Sequence, residues 1–531
     1  MCRLAILPLC VTAAVPTSAV HAQRTTPAVA DPARPLTFRI TYDAGLQPTP
    51  YTGRVYVMFA EPGRREPRFG PGWVDPSPVF AVDVDAWAPG KPLVVDDHAM
   101  FHPTPLAELP RRAYTVQAVM RRSPDHPKPG TGVGDLYSEA KTVTLTNDGA
   151  AISLNLDRVV KPRPFRETER VKEVVLTSKL LSKFHGRDIR LRAGVLLPEG
   201  WTDDPRDRYP ILYMIPGFGG GHRMVQWLAR MPLGGATPHR VIIVVPNASC
   251  YRGHSVFADS ENNGPWGRAL IDELIPAIEA RFHAADDGAP VGRHRYVTGV
   301  SSGGWSSLWL QITYPDAFNG CWSMAPDPVD FRDFQRINLY EPGANMYRDK
   351  TGARRPLMRR GDDVAIWYED FVHMEDVMGP GGQIHSFEAV FGHRADNGAP
   401  SPLFDRKTGR VDTAVARSWQ RYDIRLVLER GWSTLGPKLA GKLHIYAGGQ
   451  DDFYLDGAVR LLKDALAGLG SDADVRVIED AGHGPAPGAF RAMLDTITNN
   501  FTAQPPPPTE VPAPLDHAPS GSRPATADTA R

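Results

Sequence analysis

Two stretches of this chain, Ile211–Ile215 and residues 241–245, read ILYMI and VIIVV and carry no charged side chain. Successive side chains of a β-strand point to opposite faces, so a strand with no polar positions needs apolar cover on both. That need is met by helices packed on either side of a mostly parallel sheet. The intervening sequence agrees, because Leu270, Leu274, Ile275 and Ile278 recur at helical spacing. Residues 165–502 are therefore expected to form an α/β unit, doubly wound with right-handed crossovers.

The preceding residues follow a different rhythm. Leu36, Phe38, Ile40 and Tyr42 alternate with Thr37, Arg39 and Thr41, and Ile152, Leu154 and Leu156 alternate with Ser153, Asn155 and Asp157. Residues 54–59, 114–120 and 142–146 read as further strands, separated by Pro- and Gly-rich turns. This predicts an all-β, sandwich-like domain over residues 34–160, with one face of each strand packed and the other wet. The segment 328–440 interrupts the α/β rhythm. Its length and its aromatic residues, Trp367, Tyr368, Phe371, Phe387 and Trp419, predict an ordered, cap-like insertion. Residues 503–531 form a Pro/Ala-rich tail that is expected to be disordered.

Residues 1–22 have the pattern of a signal peptide. Arg3 precedes the short apolar run 4–15, and Val20, His21 and Ala22 place small residues where a peptidase reads them. The expectation is an exported protein, periplasmic or secreted, starting at Gln23. No other segment approaches the ~20 apolar residues of a membrane span, so no stable membrane insertion is expected. Of the 4 cysteines, Cys2 and Cys10 fall in that signal; Cys250 and Cys321 either pair in an oxidising compartment or serve as small buried residues. Two cysteines lack the spacing of a structural zinc site. Lys+Arg and Asp+Glu both total 60, for a net charge of +0. Such a balance gives no electrostatic reason to expect a nucleic-acid partner.

Chemistry concentrates in three segments. Residues 299–303 read GVSSG, after a β-prone stretch and before the helical pattern 308–314. A sharp strand-to-helix turn there would strain Ser301, relieve crowding at Gly299 and Gly303, and project the hydroxyl at the sheet edge. Downstream, the apolar stretch 443–447 ends in Gly448, Gly449, Gln450, Asp451 and Asp452, which sets a carboxylate at the same edge. Asp451 has the favoured Gly-x-x-Asp spacing; Asp452 and Asp327 are the alternatives. His483 follows on a Gly-flanked loop, so the chain order is Ser, Asp, His. Ser302 and either Phe218 or Gly219, in the Gly-rich turn after Ile215, are the candidate oxyanion donors. Trp266, Phe257 and Trp305 are candidate walls of a substrate cleft, with core packing as the alternative for each.

From 178 to 502 the chain resembles the esterase D and enterochelin-esterase-type branch of the α/β-hydrolases. The matching stretches are RYPILYMIPGFGG, RVIIVVPN, NGPWGRALIDELIPAIEARF, TGVSSGGWSSLWLQITYPDAFNG, AGGQDDFYL and DAGHG. The resemblance implies a serine esterase in which Ser301 is the nucleophile, Asp451 the acid and His483 the base. It implies esters of varied acids as substrates, siderophore, feruloyl and acetyl esters among them, and in some members acyl transfer. A β-rich domain ahead of the hydrolase is also part of the siderophore-esterase layout, whereas the long segment 328–440 departs from the family. An acyl-enzyme route through such a triad calls for no metal and no organic cofactor. The partner is expected to be a small-molecule or carbohydrate ester. The competing readings are a carbohydrate esterase acting on plant polysaccharide, an acyltransferase, a prolyl-oligopeptidase-type peptidase, and a binding protein on a vestigial hydrolase fold.

Overall fold

The structure, a computed structural model, describes residues 36–502 apart from 147–148, 150, 205, 232–238 and 285–291. The expected signal peptide and C-terminal tail lie outside the described residues. In the first unit, β1 (Thr37–Tyr42) lies between Leu93–Val95 and a later strand in a three-stranded sheet. A seven-stranded sheet holds β2 (Tyr51–Ala60), β3 (Val79–Trp87) and β4 (Ala113–Met120), with β2 between the other two. The later strand, β5 (Ala151–Leu156), pairs in parallel with β1 so that Ile40 faces Leu154 and Tyr42 faces Leu156. Matched register puts Phe38, Ile40, Leu154 and Leu156 on one face, where they meet Val55, Val57, Phe59, Val116 and Ala118 in a single apolar cluster.

The expectation of a wet outer face fails on β2. Tyr56 and Met58 point away from that cluster, yet they are as buried as Val55 and Val57. With Val79, Ala81 and Val119 they pack against Val377, which belongs to the segment 328–440. The run VYVMF carries apolar side chains on both faces because the sheet is covered from both sides.

The second unit is built on an eight-stranded sheet. Its strands are β6 (Val171–Thr177), β7 (Arg190–Leu196), β8 (Ile211–Ile215), β9 (Ile242–Pro246), β10 (Arg295–Ser301), β11 (Cys321–Pro326), β12 (Leu443–Gly448) and β13 (Asp474–Ile478). They lie in the order β6-β7-β9-β8-β10-β11-β12-β13. β7 is antiparallel to both neighbours, and all pairs from β9 to β13 are parallel. Ile211, Tyr213 and Ile215 of β8 join the cluster that contains Ile275 and Ile278 of α1 (Ile275–Phe282) and Leu308 and Ile312 of α2 (Ser302–Thr313). Leu212 faces the opposite way, against Met493, Leu494 and Ile497 of the C-terminal helix Ala489–Thr502. Cover on both faces is what the apolar strands required. The architecture is that of an α/β-hydrolase.

The connection from β11 to β12 carries α3 (Tyr368–Met378), α4 (Gln383–Phe391) and α5 (Ile424–Leu439). Tyr368, Phe371, Phe387 and Trp419 are buried in it. Asp423 caps α5 through the N–H of Leu426, and its other oxygen accepts from the N–H of Phe331 and, at 2.7 Å, from Tyr340 Oη. α5 lies against α2, so the last part of this segment is a crossover helix of the sheet. The C-terminal carbonyls of α3 are satisfied by the first unit: Arg54 donates to the Asp376 carbonyl at 2.5 Å and Tyr56 to the Met378 carbonyl at 2.8 Å. A cation at a helix C-terminus also meets the negative end of its dipole.

This packing predicts that Met58→Ala, which removes a side chain enclosed between the two units, costs about 2–5 kcal/mol. Urea unfolding followed by tryptophan fluorescence measures it. An unchanged midpoint would show that the contact does not hold the units together.

Candidate active site

β10 runs straight into α2 at Ser301, whose φ of 61° and ψ of −126° lie in a region that side chains rarely adopt. The flanking glycines make the turn possible by close approach. A β-carbon on Gly299 would stand 2.2 Å from the Gly303 carbonyl oxygen, and one on Gly303 would stand 2.1 Å from that of Ile215. The helix thus begins against the end of β8, and the Ser302 N–H lies at a helix N-terminus, where negative charge is favoured.

Asp451 follows β12 and is fully enclosed. Its Oδ2 lies 2.8 Å from His483 Nδ1, while Oδ1 accepts from the N–H of Phe453 at 2.9 Å and of Leu455 at 3.3 Å. Two backbone donors lock the carboxylate, and the imidazole donates Nδ1–H to it, which leaves Nε2 as the basic nitrogen. Gly448 permits this meeting, since a β-carbon there would stand 2.3 Å from the Ala481 carbonyl oxygen on the histidine loop. Asp452 is partly exposed, and its carbonyl accepts from the Arg359 N–H at 2.8 Å.

Asp327, the third candidate acid, sits beside Ser301 instead. Its Oδ1 accepts from Ser301 Oγ at 3.4 Å, its Oδ2 accepts from Ser302 Oγ at 2.5 Å, and its N–H donates to the Ser301 carbonyl at 3.2 Å. In this arrangement the Ser301 hydroxyl is turned to Asp327 rather than to His483. Burial pushes the Asp327 carboxyl up to about 6, against the lowering pull of the Ser302 hydroxyl and the His483 charge. For His483 burial acts downward. The hydrogen bond and charge of Asp451, with the charges of Asp327 and Asp452, outweigh it and leave the imidazole above its ordinary value.

The turn after β8 carries Gly217, Phe218 and Gly219 past the nucleophile, with Gly217 within 3.5 Å of Ser301 Cβ when a β-carbon is built on it. His254 steadies this turn. Its Nδ1 accepts from the Val256 N–H at 3.0 Å, so Nε2–H donates to the Pro216 carbonyl at 2.9 Å, and burial pushes the ring down to about 4, which keeps it neutral. Nothing in the sequence singled out His254 for this role.

Phe257 and Trp305 do not wall a cleft. Phe257 is fully enclosed, and Trp305 stacks on Trp309 at 5.1 Å and meets Phe391. Trp266 packs against Phe257 and borders a cleft between the two units. A different set of aromatics gathers over the site. Trp73, from the first unit, has its ring 5.9 Å from Phe218, 4.9 Å from Phe371 and 6.1 Å from Phe453, and Phe453 meets the His483 ring edge-on at 5.0 Å. The sequence around Trp73 reads as a Gly/Pro-rich loop, with no periodicity to say where its ring points. Cys250 and Cys321 are free thiols, and Cys321 is buried in the sheet. Among the described residues, no cluster of His, Cys, Asp and Glu is arranged to hold a metal ion, and no helix is long and apolar enough to cross a membrane.

Residues 183–423 match the family model described as "Putative esterase", which covers less than half of the chain. No curated protein matches. Among solved structures, the chain is similar to a ferulic acid esterase at 17% identity over 62% of this chain and 99% of that one, with a TM-score of 0.39. It is also similar to a fluorophosphonate-binding serine hydrolase of Staphylococcus aureus, at 14% identity over 62% and 97% of the two chains, TM-score 0.36. An S-formylglutathione hydrolase from Agrobacterium tumefaciens aligns at 14% identity over 63% and 93%, TM-score 0.34.

The electrostatics predict a pH profile. If neutral His483 serves as the base, kcat/KM for p-nitrophenyl acetate should rise with pH through a raised imidazole pKa. Asp451→Asn removes the main raising influences, so the limb should move to lower pH while kcat falls roughly 10⁴-fold, as when other triad acids become amides. Asp327→Asn should move the limb the same way by less, and Asp452→Asn least. A larger effect at Asp327 than at Asp451 would reverse their roles.

Proposed function

We propose, from the premise that this chain is a carboxylic-ester hydrolase of the α/β-hydrolase class, that it works through Ser301, His483 and Asp451 by way of an acyl-enzyme. The observation that carries this reading is the strained Ser301 at the strand–helix turn, with the paired His483–Asp451 on the neighbouring loops at the same sheet edge. Ser301 Oγ rotates from Asp327 to His483 Nε2, which takes its proton as the oxygen attacks the ester carbonyl. Asp451 holds the imidazole tautomer and stabilises the imidazolium. The N–H groups of Ser302 and of Phe218 or Gly219 receive the oxyanion. His483 then protonates the leaving alcohol, and water repeats the sequence to release the acid.

The protein acts as an exported enzyme, periplasmic or secreted, on a small-molecule ester. A siderophore-esterase-like substrate fits the layout of a β-rich unit ahead of the hydrolase. In this reading residues 34–160 are a sandwich-like accessory domain, and the part of 328–440 ahead of α5 is a cap. The ring cluster of Trp73, Phe218, Phe371 and Phe453 favours a second reading, an esterase for aryl-bearing acyl groups such as feruloyl esters of plant polysaccharide.

Activity-based labelling tests the mechanism. A fluorophosphonate should modify Ser301 alone, by peptide mapping, and Ser301→Ala should lose labelling and at least about 10³-fold in kcat while keeping its melting temperature. A folded variant retaining a tenth of the activity would overturn the nucleophile. The aromatic wall is tested separately: Trp73→Ala should raise KM about tenfold for p-nitrophenyl ferulate relative to p-nitrophenyl acetate. Equal changes for the two esters would assign Trp73 to packing between the units.

A further inference from the structure

The two units also enclose a cleft of about 1560 Å³, bordered by residues 121–126 of the first unit, the connecting residues 161–163 and the hydrolase loops 219–224 and 247–252. Its lining is cationic. Arg121, Arg122, Lys161, Arg190, Arg252 and Arg394 face it with further arginines, and Asp125 and Asp188 are the carboxylates that border it. Asp125 is already bound by Arg187 at 2.5 Å, and Arg192 is bound by Glu173 at 3.1 Å.

Among the described residues, the guanidinium groups of Arg121, Arg252 and Arg394 make no ion pair. Arg252 is half-buried, its backbone N–H is bonded to the Cys250 thiol, and its guanidinium has no ion-pair partner among the described residues. Arg121 is buried; its guanidinium donates to the carbonyls of Pro380, His126 and Tyr251, at 2.5, 3.1 and 3.1 Å, is bonded to Tyr56 and lies 4.2 Å over the Tyr251 ring, and its Nε has no acceptor among the described residues. The Arg394 guanidinium donates to the Glu261 carbonyl at 2.5 Å, and the Glu261 carboxylate accepts from the Arg394 N–H at 3.1 Å and from Arg421 at 2.8 Å. Burial, and the charges of Arg394 and Arg121, hold the Arg252 guanidinium below its ordinary value. Like charges gathered in a recess repel each other and focus a positive potential that an anion relieves. The same cleft is bordered by Gly219–Gly221 and Asn247, and Ser249 Oγ donates to the Gly220 carbonyl at 3.2 Å. The segment that bears Arg252 is therefore tied to the turn that carries an oxyanion donor.

We propose that this cleft is an anion-binding site, built jointly by the first unit and the hydrolase unit, that takes a carboxylate or phosphate group through Arg252 and Arg394. The anion is either an acidic group on the ester substrate or a free anion, and only the first of these rests on the esterase reading. Two measurements on the full chain separate them. Calorimetric titration with citrate and with inorganic phosphate reads the site itself. Acetate release from 4-acetoxybenzoate against its neutral methyl ester reads its use by the substrate.

Citrate should bind at low salt and weaken as salt is raised. Arg252→Gln and Arg394→Gln should each weaken it about tenfold or more, the loss expected for one charge-assisted hydrogen bond. Arg252→Lys should recover part of the affinity, and Ser301→Ala should keep all of it even if the esterase mechanism is wrong. A drop of about tenfold in the kcat/KM ratio of the anionic over the neutral ester in Arg252→Gln would place the acidic group on the substrate. Citrate binding with an unchanged ratio would identify a free anion as the occupant. Absence of citrate and phosphate binding by the parent protein, or equal binding by both glutamine variants with unchanged melting temperatures, would overturn the proposal.

Discussion

The positive φ of Ser301 persists because two contacts leave no room for a β-carbon: Gly299 against Gly303, and Gly303 against the end of β8. These contacts weld the nucleophile strand, the first turn of α2 and the turn toward Phe218 into one rigid corner. The Ser302 N–H and the Gly-rich turn are held at the same corner, since both are anchored to the end of β8. Removing either glycine would force apart backbone that has nowhere to go, so the strain at Ser301 is kept in place by packing rather than by any single hydrogen bond.

Around that corner lie two buried carboxyl groups with different partners, Asp451 bonded to His483 and Asp327 to Ser301 and Ser302. Asp451 accepts from the N–H groups of Phe453 and Leu455 and from the imidazole. Asp327 receives two hydroxyl hydrogens, no cation touches it among the described residues, and burial raises its carboxyl to about 6.

The first unit is part of the catalytic neighbourhood. Arg54 and Tyr56 cap α3, Met58 packs on it, Trp73 reaches Phe218 and Phe453, and Arg121 bridges to Pro380 and Tyr251. The segment between β11 and β12 is consequently held from both sides, by the sheet helices below and the first unit beside it.

Much of this was legible in the chain itself. Runs with no polar position, such as ILYMI, announce strands covered on both faces, because burial demands it whatever the connectivity. GVSSG between a strand and a helix announces the turn, because only glycine tolerates the approach distances there. The sequence also narrowed the acid to Asp451, Asp452 and Asp327, but which of them faces His483 depends on where the strand ends in space, and adjacent residues on one loop point different ways. Phe257 and Trp305 carry the composition of a cleft wall and turn out to be enclosed, since an aromatic side chain is equally suited to a core. Trp73 and Arg121 acquire their roles from contacts across more than a hundred residues of chain, and His254 from one 38 residues away. Local pattern encodes periodicity and backbone strain; which distant charges and rings share a space is decided only when the sheets pack, because solvent exclusion and electrostatics act on distance in space rather than along the sequence.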